Sequence, residues 1–166
     1  TVAALGEAAK KLKRKASIYF KIETGNNRQG ILPDDLVEFA LSADGNPFIK
    51  INGAATHFAN IEDTVSPDYA EFQLENFKKA CKMISSAGVK LPIRHCANSA
   101  ATMLFTKTHF EMVRPGIAIY GLWPSSEVKT VLRAKKVSMD LTPVLSWRTR
   151  VAQIKKIKKG SYVGYG

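Results

Sequence analysis

Polar loops recur along the chain near residues 25, 58, 96 and 114, and each follows a short apolar segment with the character of a β-strand. Segments whose apolar residues are spaced as on one face of a helix separate these loops. Strands that alternate with helices at intervals of up to ~40 residues show the rhythm of βα units in a parallel sheet or barrel. The rhythm therefore predicts an α/β fold whose polar loops follow the carboxyl ends of the strands.

Local patterns predict the individual elements. Apolar stretches predict strands at 18–22, 49–58 and 91–94, and helical spacing predicts helices at 2–14, from Pro33, at 66–87 and from Asn98. The helix at 66–87 has the clearest boundaries, because Ser66-Pro67-Asp68 supplies a capping residue and a first-turn proline, and Gly88 ends it.

The pattern changes after Gly121. A polar, proline-containing stretch leads into residues 144–151, whose alternation is typical of a half-exposed β-strand. We therefore expect residues 1–140 to form the (β/α) part of the chain and residues 141–166 to begin a β-type region. So short a region is too small for an independently stable β domain.

Charge and cysteine content bear on which ligands the chain could bind and on whether it contains disulfides or zinc. The formal charge of +11 favours anionic ligands through long-range fields. The basic clusters at 10–15 and 155–159 lack interleaved aromatic residues, so solvated faces are favoured over a nucleic-acid groove. Cys81 and Cys96 show no CxxC spacing, which argues against a disulfide framework or a zinc site.

No apolar run reaches the ~20 residues of a membrane span, and the N-terminal residues lack the apolar core of a signal peptide. These features predict a cytoplasmic protein with no membrane partner and no nucleic-acid partner.

The polar loops contain histidines, arginines and helix starts, but no carboxylate pair and no metal-ligand spacing. This composition predicts an anionic ligand and no metal. Asn98-Ser99, at the start of a helix, is either a simple N-cap or part of an anion site, because the first amides of a helix are unpaired.

Arg114 and two histidines are the other candidates. Arg114 precedes Pro115-Gly116, so it either presents a fixed guanidinium to a ligand or lies at the surface before a turn. His57 and His95 both follow predicted strands, and each is either a structural residue or a member of a common site.

A series of motifs follows one order along the chain. They are Lys21-Ile22-Glu23-Thr24-Gly25 with Arg28 and Gly30, Thr56-His57-Phe58-Ala59, His95-Cys96-Ala97-Asn98-Ser99-Ala100-Ala101, residues 112–121 around Arg114-Pro115-Gly116, residues 143–151, and Val163-Gly164-Tyr165-Gly166. In this order and at this spacing they resemble the alanine racemase family. The resemblance covers essentially the whole chain.

The resemblance implies a fold-type III barrel that binds pyridoxal 5'-phosphate (PLP). The chain would hold the C-terminal half of the (β/α)8 TIM-type barrel and the start of the following β domain. The implied activity is the interconversion of L- and D-alanine, which supplies D-alanine for peptidoglycan. The implied assembly is a homodimer that completes the active site.

The resemblance also implies how the cofactor is held. Arg114 would face the pyridine nitrogen, His95 would support that arginine, and His57 would lie near the ring. An arginine does not readily give up a proton, so the ring would be a weaker electron sink than in most PLP enzymes. The implied phosphate cradle consists of Ser99 and the backbone of Asn98, Gly116 and Ile117.

On the substrate side, the resemblance implies that Arg28 contacts the cofactor's phenolic oxygen and the substrate carboxylate. It also implies that Lys21 corresponds to a lysine that is carbamylated in many members of the family and then holds this arginine in place. Asn26-Asn27 replaces the usual methionine followed by a small residue or histidine. Asn26 is therefore a candidate substrate contact, and serine or a broader set of amino acids stays open beside alanine.

Two catalytic groups of the family, the Schiff-base lysine and the tyrosine base, have no matching motif here. We therefore expect the 166-residue chain alone to show no racemase activity, and we expect unpaired strand edges to promote association.

Three alternatives stay open. The first is the non-catalytic PLP-binding barrel protein of vitamin B6 homeostasis, against which residues 143–166 argue. The others are a decarboxylase of the same barrel class, whose glycine-triplet phosphate loop is missing, and a basic nucleic-acid-binding protein, whose affinity would fall steeply with salt.

Overall fold

Three parallel strands in the order β1-β2-β3 form the centre of the fold in a computed structural model that describes residues 1–63 and 65–164. Strand β1 spans Ala16–Lys21, β2 spans Ile49–Ala55 and β3 spans Ile93–His95. Lys21 lies opposite Ala55, and Ala55 lies opposite His95. The register therefore brings the carboxyl ends of all three strands to one rim, and the loops that follow them begin side by side.

Helices connect the parallel strands, as expected for βα units. Their bounds are Val2–Lys11 for α1, Leu36–Asp44 for α2, Asp68–Ser86 for α3, Ser99–Leu104 for α4 and Ser126–Ala134 for α5, with 3-10 turns at Pro33–Asp35, Thr106–Thr108 and Ile117–Tyr120. None of the described helices has the length and apolar character needed to cross a membrane. The observed alternation confirms the predicted α/β class.

The core lies between the sheet and the helices. Helix α3 buries Ala70, Leu74, Phe77 and Ile84, which recur at helical spacing on one face. They belong to one cluster with side chains from the other elements, including Phe20 and Ala54 of the sheet, Leu36 and Ala40 of α2, and Val128 and Leu132 of α5. Burial of this apolar surface fixes the helices against the sheet.

Gly53 permits the close pairing of β2 with β3. Its φ of +151° is open to glycine, and a Cβ built there would lie 1.7 Å from the carbonyl oxygen of Ile93. The register of β1 against β2 shifts between Ile18 and Tyr19, and Tyr19 then pairs with Gly53. The glycine thus marks an irregularity where the backbones approach too closely for a side chain.

Element boundaries differ slightly from those predicted. The helix predicted at 2–14 ends at Lys11, because Lys13 takes a left-handed φ of 51°. The strand predicted at 49–58 ends at Ala55. The helix predicted at 66–87 forms over Asp68–Ser86 and is followed by Gly88 with a φ of 91°. The predicted order of elements is unchanged up to residue 104, but the strand-like segment expected before the loop near 114 forms no strand.

Residues 144–151 do not form the predicted strand. Residues 141–164 contain no helix or strand and are almost entirely exposed, and the Trp147 side chain is 92% exposed. The amide of Val144 donates to the carbonyl oxygen of Tyr120, 3.2 Å away. An alternating segment becomes a strand only when another strand satisfies its backbone groups. Tyr165 and Gly166 of the last motif lie outside the described residues.

Candidate functional site

The rim at the carboxyl ends of β1, β2 and β3 collects most of the predicted site residues. Lys21 and His95 are the last residues of β1 and β3, and His57 lies two residues beyond β2. Function in (β/α) folds gathers on the loops at this edge. The structure therefore brings these predicted residues together at one edge of the sheet, and their role as a site stays a prediction.

Arg114 is half-buried and anchored to this rim. Its backbone amide donates to the carbonyl oxygen of Ala97 at 2.9 Å, and its Nη2 donates to the carbonyl oxygens of Thr56 at 2.8 Å and Cys96 at 3.5 Å. Burial lowers the pKa of the guanidinium, although a guanidinium stays protonated at neutral pH. The buried Nε has no hydrogen-bond partner among the described residues. The guanidinium is thus fixed through Nη2, while its buried Nε–H is unused.

His95 is a buried, neutral histidine beside this arginine. Burial first, and then the charges of Arg114 and Lys21, lower its pKa to about 4. The ring of Tyr19 packs edge-on against it, with centroids 5.0 Å apart. Neither ring nitrogen has a hydrogen-bond partner among the described residues. The predicted support of Arg114 by His95 is therefore not a formed hydrogen bond here, although a neutral imidazole can accept from the unused Nε–H.

The rim carries an excess of positive charge. Burial lowers the pKa of Lys21, and the charges of Arg114 and Arg28 lower it further, while Glu23 opposes them. Burial and the charges of Lys21, Arg114 and Arg28 likewise lower the pKa of His57. Arg28 itself is exposed. These cations interact with one another, so the rim favours an anionic ligand.

The Ser99 hydroxyl faces the turn after Arg114. Its Oγ accepts from the amide of Gly116 at 2.9 Å and from the amide of Ala118 at 3.3 Å. A Cβ built on Gly116 would meet no atom within 4 Å, so there is open space over this turn. Ile117, between the two amides, starts a 3-10 turn and leaves its side chain exposed. A hydroxyl and two amides thus converge beside an open surface.

Asn98 is an N-cap. Its Oδ1 accepts from the amide of Ala101 at 3.0 Å, and its Nδ2 donates to Glu62 Oε2 at 3.1 Å. The helix it caps, α4, has only six residues. The capping function is therefore observed for Asn98, while the hydroxyl of Ser99 is turned toward Gly116.

Asn26 joins two loops. Its Nδ2 donates to the carbonyl oxygen of His57 at 3.3 Å, which ties the loop after β1 to the loop after β2. Glu23, at the start of the first loop, accepts from the amide of Gly25 at 2.6 Å. Burial raises the pKa of its carboxyl group, but hydrogen bonds from the loop's amides together outweigh burial and lower it. The predicted substrate-side residues therefore lie on a loop ordered by its own polar contacts.

Sequence reasoning missed a buried polar group beneath these loops. Thr24 and Thr56 share a hydrogen bond between their hydroxyls at 2.7 Å, and Gln73 on α3 is fully buried beside them. The available signal was a glutamine in line with Ala70, Leu74 and Phe77 on the apolar face of α3. Buried polar side chains nearly always form hydrogen bonds, so a glutamine on an apolar helix face indicates a buried hydrogen-bond partner.

Comparison with known proteins gives consistent matches. Residues 1–124 match the family model described as the N-terminal domain of alanine racemase. Alanine racemase of Clostridium tetani is 37% identical over 98% of this chain and 40% of its own length. That of Leptospira interrogans is 39% identical over 90% of this chain and 38% of its own length.

Solved structures agree with these matches. The crystal structure of alanine racemase from Bacillus anthracis with bound L-Ala-P superposes with a TM-score of 0.83 at 33% identity, over 99% of this chain and 42% of that one. The Clostridium difficile enzyme in complex with cycloserine gives a TM-score of 0.78 at 34% identity, over 86% of this chain and 37% of that one. The chain spans about two fifths of the length of these relatives.

Proposed function

We infer the function of this chain from one premise: it belongs to the alanine racemase family. We propose that it carries the cofactor-phosphate side and the substrate-carboxylate side of a PLP-dependent amino-acid racemase site. One observation carries this proposal. Arg114, His95 and the turn whose amides donate to the Ser99 hydroxyl all lie at one cationic rim.

The residues present fit the cofactor's phosphate. The Ser99 hydroxyl and the amides of Gly116 and Ala118 already face one another, and the space over Gly116 is open. Amides and hydroxyls are the donors that phosphate oxygens accept from, and nearby cations strengthen such bonds. We propose that these groups, with the backbone of Asn98 and Ile117, hold the phosphate.

The guanidinium of Arg114 fits the other end of the cofactor. When bound, PLP supplies an electron-withdrawing ring that makes the Cα proton of an amino acid acidic. We propose that Arg114 donates a hydrogen bond to the ring nitrogen and keeps its own proton, since a guanidinium is effectively always charged. Neither His95 nitrogen nor Arg114 Nε has a partner among the described residues, and we propose that the neutral His95 would accept from Nε–H when the cofactor is bound and so fix the direction of the guanidinium.

Lys21 and Arg28 suit the substrate side. Their mutual repulsion contributes to the lowered pKa of Lys21 and therefore enlarges its neutral amine fraction. We propose that this amine adds to carbon dioxide and loses a proton, which gives a carbamate. The carbamate anion then pairs with Arg28, and Arg28 binds the substrate carboxylate together with Asn26. In this proposal His57 would lie beside the cofactor ring.

The substrate we propose is alanine, with serine as the nearest alternative because of Asn26-Asn27. The family premise further supports a cytoplasmic homodimeric enzyme whose D-alanine serves peptidoglycan synthesis. We also propose that residues 1–140 belong to the barrel and that residues 141–166 begin the β domain, where a partner strand would complete the segment at 144–151.

A titration of the purified chain tests the phosphate site. Pyridoxine 5'-phosphate is the probe, because it has no aldehyde to react with lysines, and pyridoxine is the matched ligand without phosphate. We expect the phosphorylated probe to bind at least about 10-fold more tightly, and Ser99→Ala to remove most of that preference. We expect Arg114→Ala to weaken binding of both ligands. Ser146→Ala, on an exposed segment, is the control.

Two results would contradict the proposal. One is equal affinity for the two ligands, which would leave no phosphate site. The other is affinity for nucleic acid that falls steeply with salt and is insensitive to Arg114→Ala.

A further inference from the structure

Gln73 is the fully buried polar residue of helix α3, with 0% of its surface exposed. Its Oε1 accepts from the amide of Ala59 at 2.8 Å. Its Nε2 donates to the carbonyl oxygen of His57 at 3.3 Å and to Thr24 Oγ1 at 3.4 Å. Because an amide N–H can only donate, the Ala59 contact fixes which end of the carboxamide is the oxygen. One side chain thus binds the loop after β1 and the loop after β2.

Two neighbours on α3 extend this contact. The Tyr69 hydroxyl donates to the carbonyl oxygen of Gly25 at 2.8 Å, and Asn76 Nδ2 donates to the carbonyl oxygen of Thr24 at 3.4 Å. Tyr69 and Asn76 lie four residues before and three residues after Gln73, so all three share one helix face. The helix therefore presents a row of polar side chains to the loop that leads to Arg28.

The contact continues to Arg114. Thr24 Oγ1, which Gln73 contacts, shares a hydrogen bond with Thr56 Oγ1 at 2.7 Å, and Thr56 Oγ1 also donates to the carbonyl oxygen of Ile22 at 2.9 Å. The carbonyl oxygen of Thr56 accepts from Arg114 Nη2 at 2.8 Å. A path of hydrogen bonds through Thr24 and Thr56 therefore links the buried glutamine to the guanidinium.

We propose that Gln73 is a positioning residue for the racemase site. It sets the spacing between the loop that carries Asn26 and Arg28 and the loop that carries His57, and through Thr24 and Thr56 it steadies Arg114. It touches neither substrate nor cofactor. This inference rests on the function proposed above, because it assigns Gln73 to the same site.

The chemistry of the side chain makes the proposal specific. Only a group with a donor and an acceptor on one carbon satisfies both the Ala59 amide and the His57 carbonyl. Leucine would remove the acceptor of the Ala59 amide and would leave the His57 carbonyl oxygen with only its contact from Asn26. A glutamate carboxylate would keep the Ala59 contact but could not donate to His57, whereas its protonated form could do both.

The test combines amide hydrogen exchange with ligand titration on the purified chain. In Gln73→Leu we expect exchange of the Ala59 amide to rise at least about 10-fold, and the Kd for pyridoxine 5'-phosphate to rise about 3- to 10-fold. Leu74→Ala is the matched control, because it removes a buried apolar side chain from the same helix. We expect it to lower global stability while leaving the ratio of Ala59 exchange to core exchange unchanged.

Gln73→Glu keeps the proposal testable where the leucine variant fails to fold. Burial raises the pKa of a glutamate placed here. We therefore expect its Kd to approach that of the wild type as the pH falls through the pKa of the new carboxyl group, while a residue that only fills space would show no such convergence.

The outcomes separate the two proposals. Absence of any binding by the wild type would overturn the proposed function, while the exchange of Ala59 would still report on the loop contact. Wild-type binding with an unchanged Kd in both Gln73 variants would overturn the positioning role alone. An equal rise in Ala59 exchange and in Kd in Leu74→Ala would also overturn it, because general loosening would then explain the effect.

Discussion

Residues 16–104 and residues 141–164 both carry motifs of the same family, yet they differ completely in structure. The first region forms the parallel sheet, buries Phe20 and Phe77 and joins its rim loops by hydrogen bonds such as that between Thr24 and Thr56. The second contains no helix or strand and leaves Trp147 and Tyr162 almost entirely exposed. A strand pattern therefore becomes a strand only where the rest of the chain supplies its hydrogen-bonding partner and its apolar cover.

The largest expected effect comes from removing a core side chain. Phe77 is fully buried and packs edge-to-face against Phe110. We expect Phe77→Ala to lower the free energy of unfolding by about 3–5 kcal/mol. Trp147→Ala, the matched aromatic truncation in the exposed region, should change it by less than about 0.5 kcal/mol. Chemical denaturation measures both, and a comparable loss in the two variants would break the distinction between the regions.

The next effect concerns two glycines with positive φ. A Cβ at Gly53 would overlap the carbonyl oxygen of Ile93, while a Cβ at Gly160 would meet nothing within 4 Å. We expect Gly53→Ala to cost about 3 kcal/mol, because the strands must separate, and Gly160→Ala to cost less than about 1 kcal/mol. Thermal unfolding of the two variants checks this order. Equal melting temperatures would mean that β2 and β3 relax around the methyl group.

The free energy of unfolding should depend on pH through the histidines of the packed region. Residues 141–164 contain no histidine and should not contribute to this dependence. Burial and nearby cations lower the pKa of His95 from 6.5 to about 4. The unfolded chain therefore binds more protons between these values, and stability is full above about pH 6.5 and falls as the pH drops toward about 4.

The loss attributable to His95 amounts to about 2–3 kcal/mol. His95→Asn should flatten the fall without abolishing it, because the pKa of His57 is also lowered. Denaturation series at several pH values measure the slope. A variant with the wild-type slope would show that His95 does not carry the effect.

The smallest effect concerns a helix cap. Asn98→Ala removes the hydrogen bond to the Ala101 amide and the contact with Glu62, and we expect it to cost about 1 kcal/mol. Asn98→Asp, which keeps the capping oxygen but places a charge beside Glu62, should fall between the wild type and the alanine variant. Urea midpoints resolve differences of this size, and an alanine variant as stable as the wild type would contradict the capping role.

Much of the fold could be predicted because the signals are local. Apolar spacing and turn residues predicted the strand and helix order, and the polar loops pointed to the rim that the register of Lys21, Ala55 and His95 now forms. Gln73 escaped prediction because periodicity counts apolar residues, and its partner Thr24 lies 49 positions earlier in the chain. The roles assigned to Arg114, His57 and Arg28 stay predictions.

The sequence by itself determined the α/β class, the family and the residues at the rim, because each depends on the order and spacing of residues along the chain. Only the tertiary structure decided that Ser99 faces Gly116, that His95 is buried and neutral beside Arg114, and that residues 144–151 form no strand. The reason is physical: hydrogen-bond partners, burial and charge environment come from residues remote in sequence, and they exist only once the chain has folded.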